Sequence, residues 1–133
     1  MLKNTSIIKW ALCLVTILIT CLSFKQENAI KSKFLFGKWH PYQEYGSDGV
    51  HPGRWGKSPD SGKYVKFQKN GRISGTYFTN ALSYELKDSV TIAIVYKERV
   101  QEYRFKMDKR TLTISPSKPN YCDEGCATKL IKD

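Results

Sequence analysis

Leu82-Ser83-Tyr84-Glu85-Leu86-Lys87-Asp88-Ser89-Val90-Thr91-Ile92-Ala93-Ile94-Val95-Tyr96-Lys97-Glu98-Arg99-Val100-Gln101-Glu102-Tyr103-Arg104-Phe105-Lys106-Met107 is the stretch whose reading decides the fold class. From 82 to 87, Leu82, Tyr84 and Leu86 fall on one face and polar residues on the other. Val90, Ile92, Ile94 and Tyr96 share a face in the next segment, and Tyr103, Phe105 and Met107 do so in the third. A period of two marks a strand with one buried side. Asp88-Ser89 and Glu98-Arg99 are far too short for the dozen or more residues of a parallel crossover. The stretch predicts three consecutive antiparallel strands.

The same pattern continues outward in both directions. Upstream, Tyr64-Val65-Lys66-Phe67-Gln68 and residues 73–79 flank Asn70-Gly71, the pair best suited to a type I′ hairpin. Downstream, Asp108-Lys109-Arg110 makes a turn, and residues 111–115 and 127–131 read as further strands. A first strand around Leu35 to Tyr42 brings the total to about eight, with helical periodicity nearly absent. The prediction is an all-β antiparallel meander that hides its edges by closing into a barrel; an open two-sheet sandwich is the alternative. A barrel of that size is filled by its own side chains or holds one small ligand. The one long connection, Gly46 to Gly62, is rich in Gly and Pro yet carries His51, Arg54 and Trp55, and reads as a lid-like loop.

The first 29 residues read as a leader outside the fold. Lys3 and Lys9 come first, and residues 10–24 carry no charge before the chain turns polar at Lys25-Gln26-Glu27. Basic first and apolar next is the order of a secretion signal. The apolar run is shorter than the roughly 20 residues of a membrane-spanning helix. Cleavage after Ala29 leaves one domain, residues 30–133. A lipoprotein signal of residues 1–20, with a lipid anchor on Cys21, is the alternative, although Thr20 departs from the Gly, Ala or Ser usual before that Cys. The expected location is therefore exported: periplasm, outer membrane or secreted.

Among 133 residues there are 22 basic and 12 acidic side chains, a formal net charge of +10, of which the leader removes three lysines and one glutamate. The excess is interleaved with acids, which favours solubility and weak attraction to acidic lipid or polysaccharide. Nucleic acid is not an expected partner of an exported chain. Beyond the leader, Cys122 and Cys126 form an even pair, and Cys122-Asp123-Glu124-Gly125-Cys126 suits a disulfide across a tight turn. A zinc site would need two further ligands, and redox pairs use a two-residue spacing.

Phe36-Gly37-Lys38-Trp39, a long first connection and the late Tyr121-Cys122-Asp123-Glu124-Gly125-Cys126 before the last strand together resemble small exported bacterial lipocalin-like domains. The resemblance spans most of residues 34–132 and rests chiefly on Gly-x-Trp; the second lipocalin motif is missing. It implies a calyx for small, often apolar molecules. It also implies structural roles for Gly37 and Trp39, and makes Lys129 the candidate for the arginine that packs over the Trp in that family.

Function is far less legible than fold. Trp39 reads as core, and Trp55, Arg54 and His51 are the candidate ligand-binding residues: Trp55 to dock over the mouth or touch a ligand, Arg54 to meet an acidic group. No nucleophile motif accompanies His40 or His51, and His40, Glu44, Asp48 and His51 lack a metal-ligand spacing, so neither catalysis, a cofactor nor a metal is expected. The expectation is a monomer that binds a small apolar molecule without catalysis in the cell envelope. The alternative is a packed barrel that binds a protein or polysaccharide through its surface or first loop.

Overall fold

The alternation between 82 and 107 becomes three adjacent strands of one antiparallel sheet. A computed structural model describes residues 9–19, 33–122 and 125–133. The strands are β1 (Gly37–Gly46), β2 (Arg54–Lys57), β3 (Val65–Phe67), β4 (Ile73–Gly75), β5 (Ala81–Leu86), β6 (Thr91–Tyr96), β7 (Val100–Asp108), β8 (Thr111–Lys118) and β9 (Ala127–Lys132). Eight run in the order β4-β3-β1-β9-β8-β7-β6-β5, and β2 pairs with β1 off this path. First and last strands are therefore neighbours, and the meander curls into a nearly closed barrel. Its remaining seam lies between β4 and β5. There Arg72 bridges to Ser83, the Tyr84 N–H donates to Gly71 O at 2.9 Å, and the Tyr84 hydroxyl donates to Gln68 O at 2.7 Å.

Residues of alternate pleats meet inside. Trp39, Val65, Phe67, Ile73, Ile92, Ile94, Phe105, Leu112, Ile114 and Leu130 form one buried cluster with Leu35 and Phe78. Bulky side chains fill this part of the barrel, as the β-branched and aromatic content of the strands favours. Gly75 is required where β4 crosses close to the chain at Tyr64. Its φ is 119°, and a Cβ there would overlap the Tyr64 carbonyl.

One end of the barrel is locked shut. Trp39 is fully buried, and its indole N–H donates to Leu35 O at 2.7 Å. The Lys132 ammonium, from β9, lies 5.3 Å from the centre of that ring and donates to Phe34 O at 2.8 Å. Lys132 crosses so close to Gly37 that a Cβ there would stand 2.8 Å from its Cε. The lysine over Trp39 is therefore Lys132, not Lys129. Asp133 closes the same end, with Oδ1 3.0 Å from His40 Nε2 and Oδ2 3.4 Å from Lys38 Nζ.

Two local expectations are corrected. Residues 46–62 are not one loop: β2 pairs with β1 from Gly46↔Arg54 to Gln43↔Lys57, so the segment is a hairpin with its tip at 47–53, followed by a turn at 58–62. Repeated Gly and Pro conceal a strand whose ladder is supplied by β1. At Asn70-Gly71 only Gly71 has positive φ, 81°, whereas a type I′ turn needs it at both residues. The Gly71 N–H donates to Gln68 O, and the Gln68 N–H to Arg72 O, which makes a turn with a glycine bulge.

Within the segment expected to be a leader, residues 9–19 are helical with every side chain exposed, and no helix among the described residues is long and apolar enough to cross a membrane. Cys21 and the Glu27-Asn28-Ala29 cleavage position lie outside the described residues. Cys122 and Cys126 are joined as a disulfide, Cα to Cα 5.8 Å. The bridge points to an oxidising, non-cytoplasmic environment.

Candidate functional site at the barrel mouth

At the end opposite Trp39 the barrel is open. A pocket of about 230 Å³ there is lined by Glu44 and Tyr45 of β1, Tyr77 of the β4–β5 connection, Tyr103 of β7, Ile114 and Pro116 of β8, and Cys126, Ala127 and Thr128 where β9 begins. Its polar groups are hydroxyls and one carboxylate, with no Lys or Arg among the lining residues.

Glu44 faces the interior because of a bulge. Pro41 pairs with Leu130 but Gln43 with Lys129, so Tyr42 is an extra residue that reverses the alternation. Glu44 then stands opposite Thr128, and Gln43 and Tyr45 turn outward. The Ser58 hydroxyl, in the turn after β2, donates to Glu44 Oε1 at 2.8 Å and accepts the Asp60 N–H at 3.1 Å. The Ser58 N–H donates to Tyr42 O at 3.1 Å. Ser58 is itself buried, so the carboxylate is held from behind by a fixed turn.

The two pocket tyrosines are neutral hydrogen-bonding groups. Burial is the main cause that pushes the Tyr77 phenol up from 10.0 to about 12, opposed by a hydrogen bond with Thr128 and reinforced by the charge of Glu44. Burial likewise raises Tyr103, helped by the neighbouring Tyr96 and Tyr77. The Tyr103 ring is wedged against Phe78 at 5.5 Å between centres, and Phe78 against Tyr77 at 4.8 Å. Rigid aromatic walls result. On the same inward pleat as Tyr103, Gln101 is 2% exposed; its Nε2 donates to Glu102 O and Pro119 O at 2.9 Å each, while Oε1 has no donor.

The residues singled out from sequence do not gather at this mouth. Trp55 is the cross-strand partner of Tyr45, ring centres 5.4 Å apart, on the outer face of the hairpin. The Lys129 ammonium sits 3.9 Å above the Trp55 ring and 3.4 Å from Gln43 Oε1. Arg54, one pleat away, falls on the opposite face. With Gly46, Ser47, Asp48, His51 and Pro52 it borders an open groove of about 500 Å³ at the hairpin tip. There His51 Nδ1 lies 2.8 Å from the Asp48 carboxylate, and that side-chain hydrogen bond, with the backbone N–H groups of His51 and Val50, holds Asp48 below the usual carboxylate range. His40 is at the closed end, its Nδ1–H donating to Lys63 O at 3.0 Å. No group of three or more metal-ligating side chains is gathered among the described residues.

Glu44, Tyr77, Tyr103 and Thr128 come from four separate segments, and their meeting depends on register. The one local signal for Glu44, the bulge beside Pro41, is invisible in an alternation read from Trp39, which places Gln43 inside instead. No protein-family model matches the sequence, and no curated protein is significantly similar to it.

Proposed function

We propose that this chain is a noncatalytic binding protein of an oxidising, extracytoplasmic compartment, exported by its leader to the cell envelope or beyond, and that its ligand is a small molecule seated in the barrel mouth. The observation that carries this is the mouth itself: a concave pocket with rigid aromatic walls and a few convergent polar groups, the usual make-up of a small-molecule site. At about 230 Å³ it falls below the roughly 300–1,000 Å³ typical of drug-sized ligands, so the ligand is small. The buried cluster behind it supports a shallow seat in place of a deep calyx. Polar lining favours a ligand with hydrogen-bonding groups over a purely apolar one.

A second reading rests on the hairpin. Trp55, 37% exposed and backed by Tyr45 and Lys129, is a firm outward platform suited to a protein or polysaccharide. Native mass spectrometry of the protein purified gently from its own envelope fraction separates the two. A retained small molecule, lost on Tyr103→Leu and kept on Trp55→Ala, is the expected result. A protein that comes out empty and stays empty against an extract of small molecules, yet is retained on an envelope matrix through Trp55, replaces the first reading with the second.

A further inference from the structure

Among the described residues the mouth carries a charge of the opposite sign to the rest of the molecule. The chain has a formal net charge of +10, yet the lining residues include one carboxylate, that of Glu44, and no lysine or arginine. No lysine or arginine pairs with it among the described residues; the ion pairs of the fold use Asp48, Asp60, Glu85 and Asp133 instead. The partner of its Oε1 is a neutral hydroxyl, that of Ser58.

Beside this carboxylate stand Tyr77 and Tyr103. Tyrosine faces carry the negative lobe of the ring quadrupole and attract a cation, more strongly as water is excluded. The other polar side-chain groups of the lining are oxygens: the Thr128 hydroxyl and the phenols. The site is rich in acceptors and poor in fixed donors. An anion placed there would meet a like charge and no cation. A neutral apolar ligand would cover Glu44 and leave it the single neutral hydroxyl of Ser58 as compensation, which is costly for a charge.

Resting on the mouth-binding reading above, we infer that the ligand group seated in this pocket is a small organic cation, a substituted ammonium, held by Glu44 and the faces of Tyr77 and Tyr103. Such a group occurs on free small molecules and on lipid head groups, and both share this chemistry.

The test uses the full exported domain, with backbone amide NMR shifts as readout and choline as probe. Its uncharged carbon isostere, 3,3-dimethylbutan-1-ol, is the control. Choline is expected to shift the amides of residues 44, 77, 103, 127 and 128 and to bind at least about tenfold more tightly than the isostere, a difference of about 1.4 kcal/mol. Glu44→Gln, which keeps an acceptor for Ser58, is expected to remove that preference, and Tyr103→Leu to weaken choline binding, while Trp55→Ala changes neither. Sedimentation with phosphatidylcholine vesicles that depends on Glu44 assigns the head group as source; binding of free choline alone assigns a soluble cation. Equal binding of choline and isostere at the mouth overturns the charge preference and leaves the small-molecule reading standing. Mouth amides that move for neither probe, with a neutral molecule recovered by native mass spectrometry, overturn it too. No small molecule of any charge at the mouth ends both.

Discussion

Replacing Trp39 by Phe tests whether the closed end is the keystone of the barrel. Two losses are separable. Phe has no N–H, so Leu35 O, now accepting at 2.7 Å from a fully buried ring, loses its donor; leaving such a group unsatisfied costs about 1–3 kcal/mol. Phe also leaves part of the indole volume empty beneath Lys132, a fraction of the roughly 3–5 kcal/mol that full truncation of a buried aromatic costs. The combined expectation is about 3 kcal/mol, which for a domain of this size lowers the melting temperature by about 12 °C. Urea unfolding followed by circular dichroism, with calorimetry in parallel, reads both quantities, and an unchanged m-value confirms that the native state is otherwise the same. A loss below about 1 kcal/mol would refute the reasoning, because it would mean that neither the hydrogen bond nor the packing under Lys132 contributes as the geometry requires.

Gly75→Ala forces a Cβ onto the Tyr64 carbonyl at a φ of 119°, and is expected to cost more than about 2 kcal/mol in the same urea experiment; a neutral substitution would mean that β4 relaxes freely. Joint replacement of Cys122 and Cys126 by Ser opens a small loop and is expected to lower stability by about 2 kcal/mol, with no change in stability the contrary result. For Tyr77, a folded value raised from 10.0 to about 12 means that its contribution is complete below pH 10 and is lost as pH rises from 10 through 12. The loss is about 2–3 kcal/mol. Tyrosinate absorbance should show this residue ionising only with unfolding, and Tyr77→Phe should make the alkaline transition less steep; an identical transition in the variant counts against a buried phenol.

The strands were legible where one face of the sheet is apolar and the other polar. Ile92, Ile94, Phe105, Leu112 and Ile114 announce their side through alternation, and they are buried as that pattern requires. β2 was not legible, because Arg54-Trp55-Gly56-Lys57 has both faces exposed and no apolar pattern to display; only its partner strand makes it a strand. Lysines near the end of the chain posed a similar problem. Lys129 and Lys132 lie on different pleats, and which of them covers Trp39 is decided by where β9 pairs with β1. Trp55 was singled out for its size in a polar segment, yet its placement follows from Tyr45 across the hairpin. The mouth lay deepest of all: a single bulged residue, Tyr42, exchanges Gln43 for Glu44 on the inner face and with it the character of the pocket.

The seam between β4 and β5 gives the barrel a grain. At the mouth end the two strands are tied covalently by residues 76–80, whereas at the other end they part into separate hairpins, joined there by the Tyr84 contacts to Gly71 and Gln68. Any slit along this line therefore widens away from the tether, like a page turning about its spine. Tyr77 sits in that spine. The pocket wall is thus carried by the one stretch that stays bound to both leaves, and amide exchange should be fastest along 72–75 and 81–84 while the mouth keeps its shape.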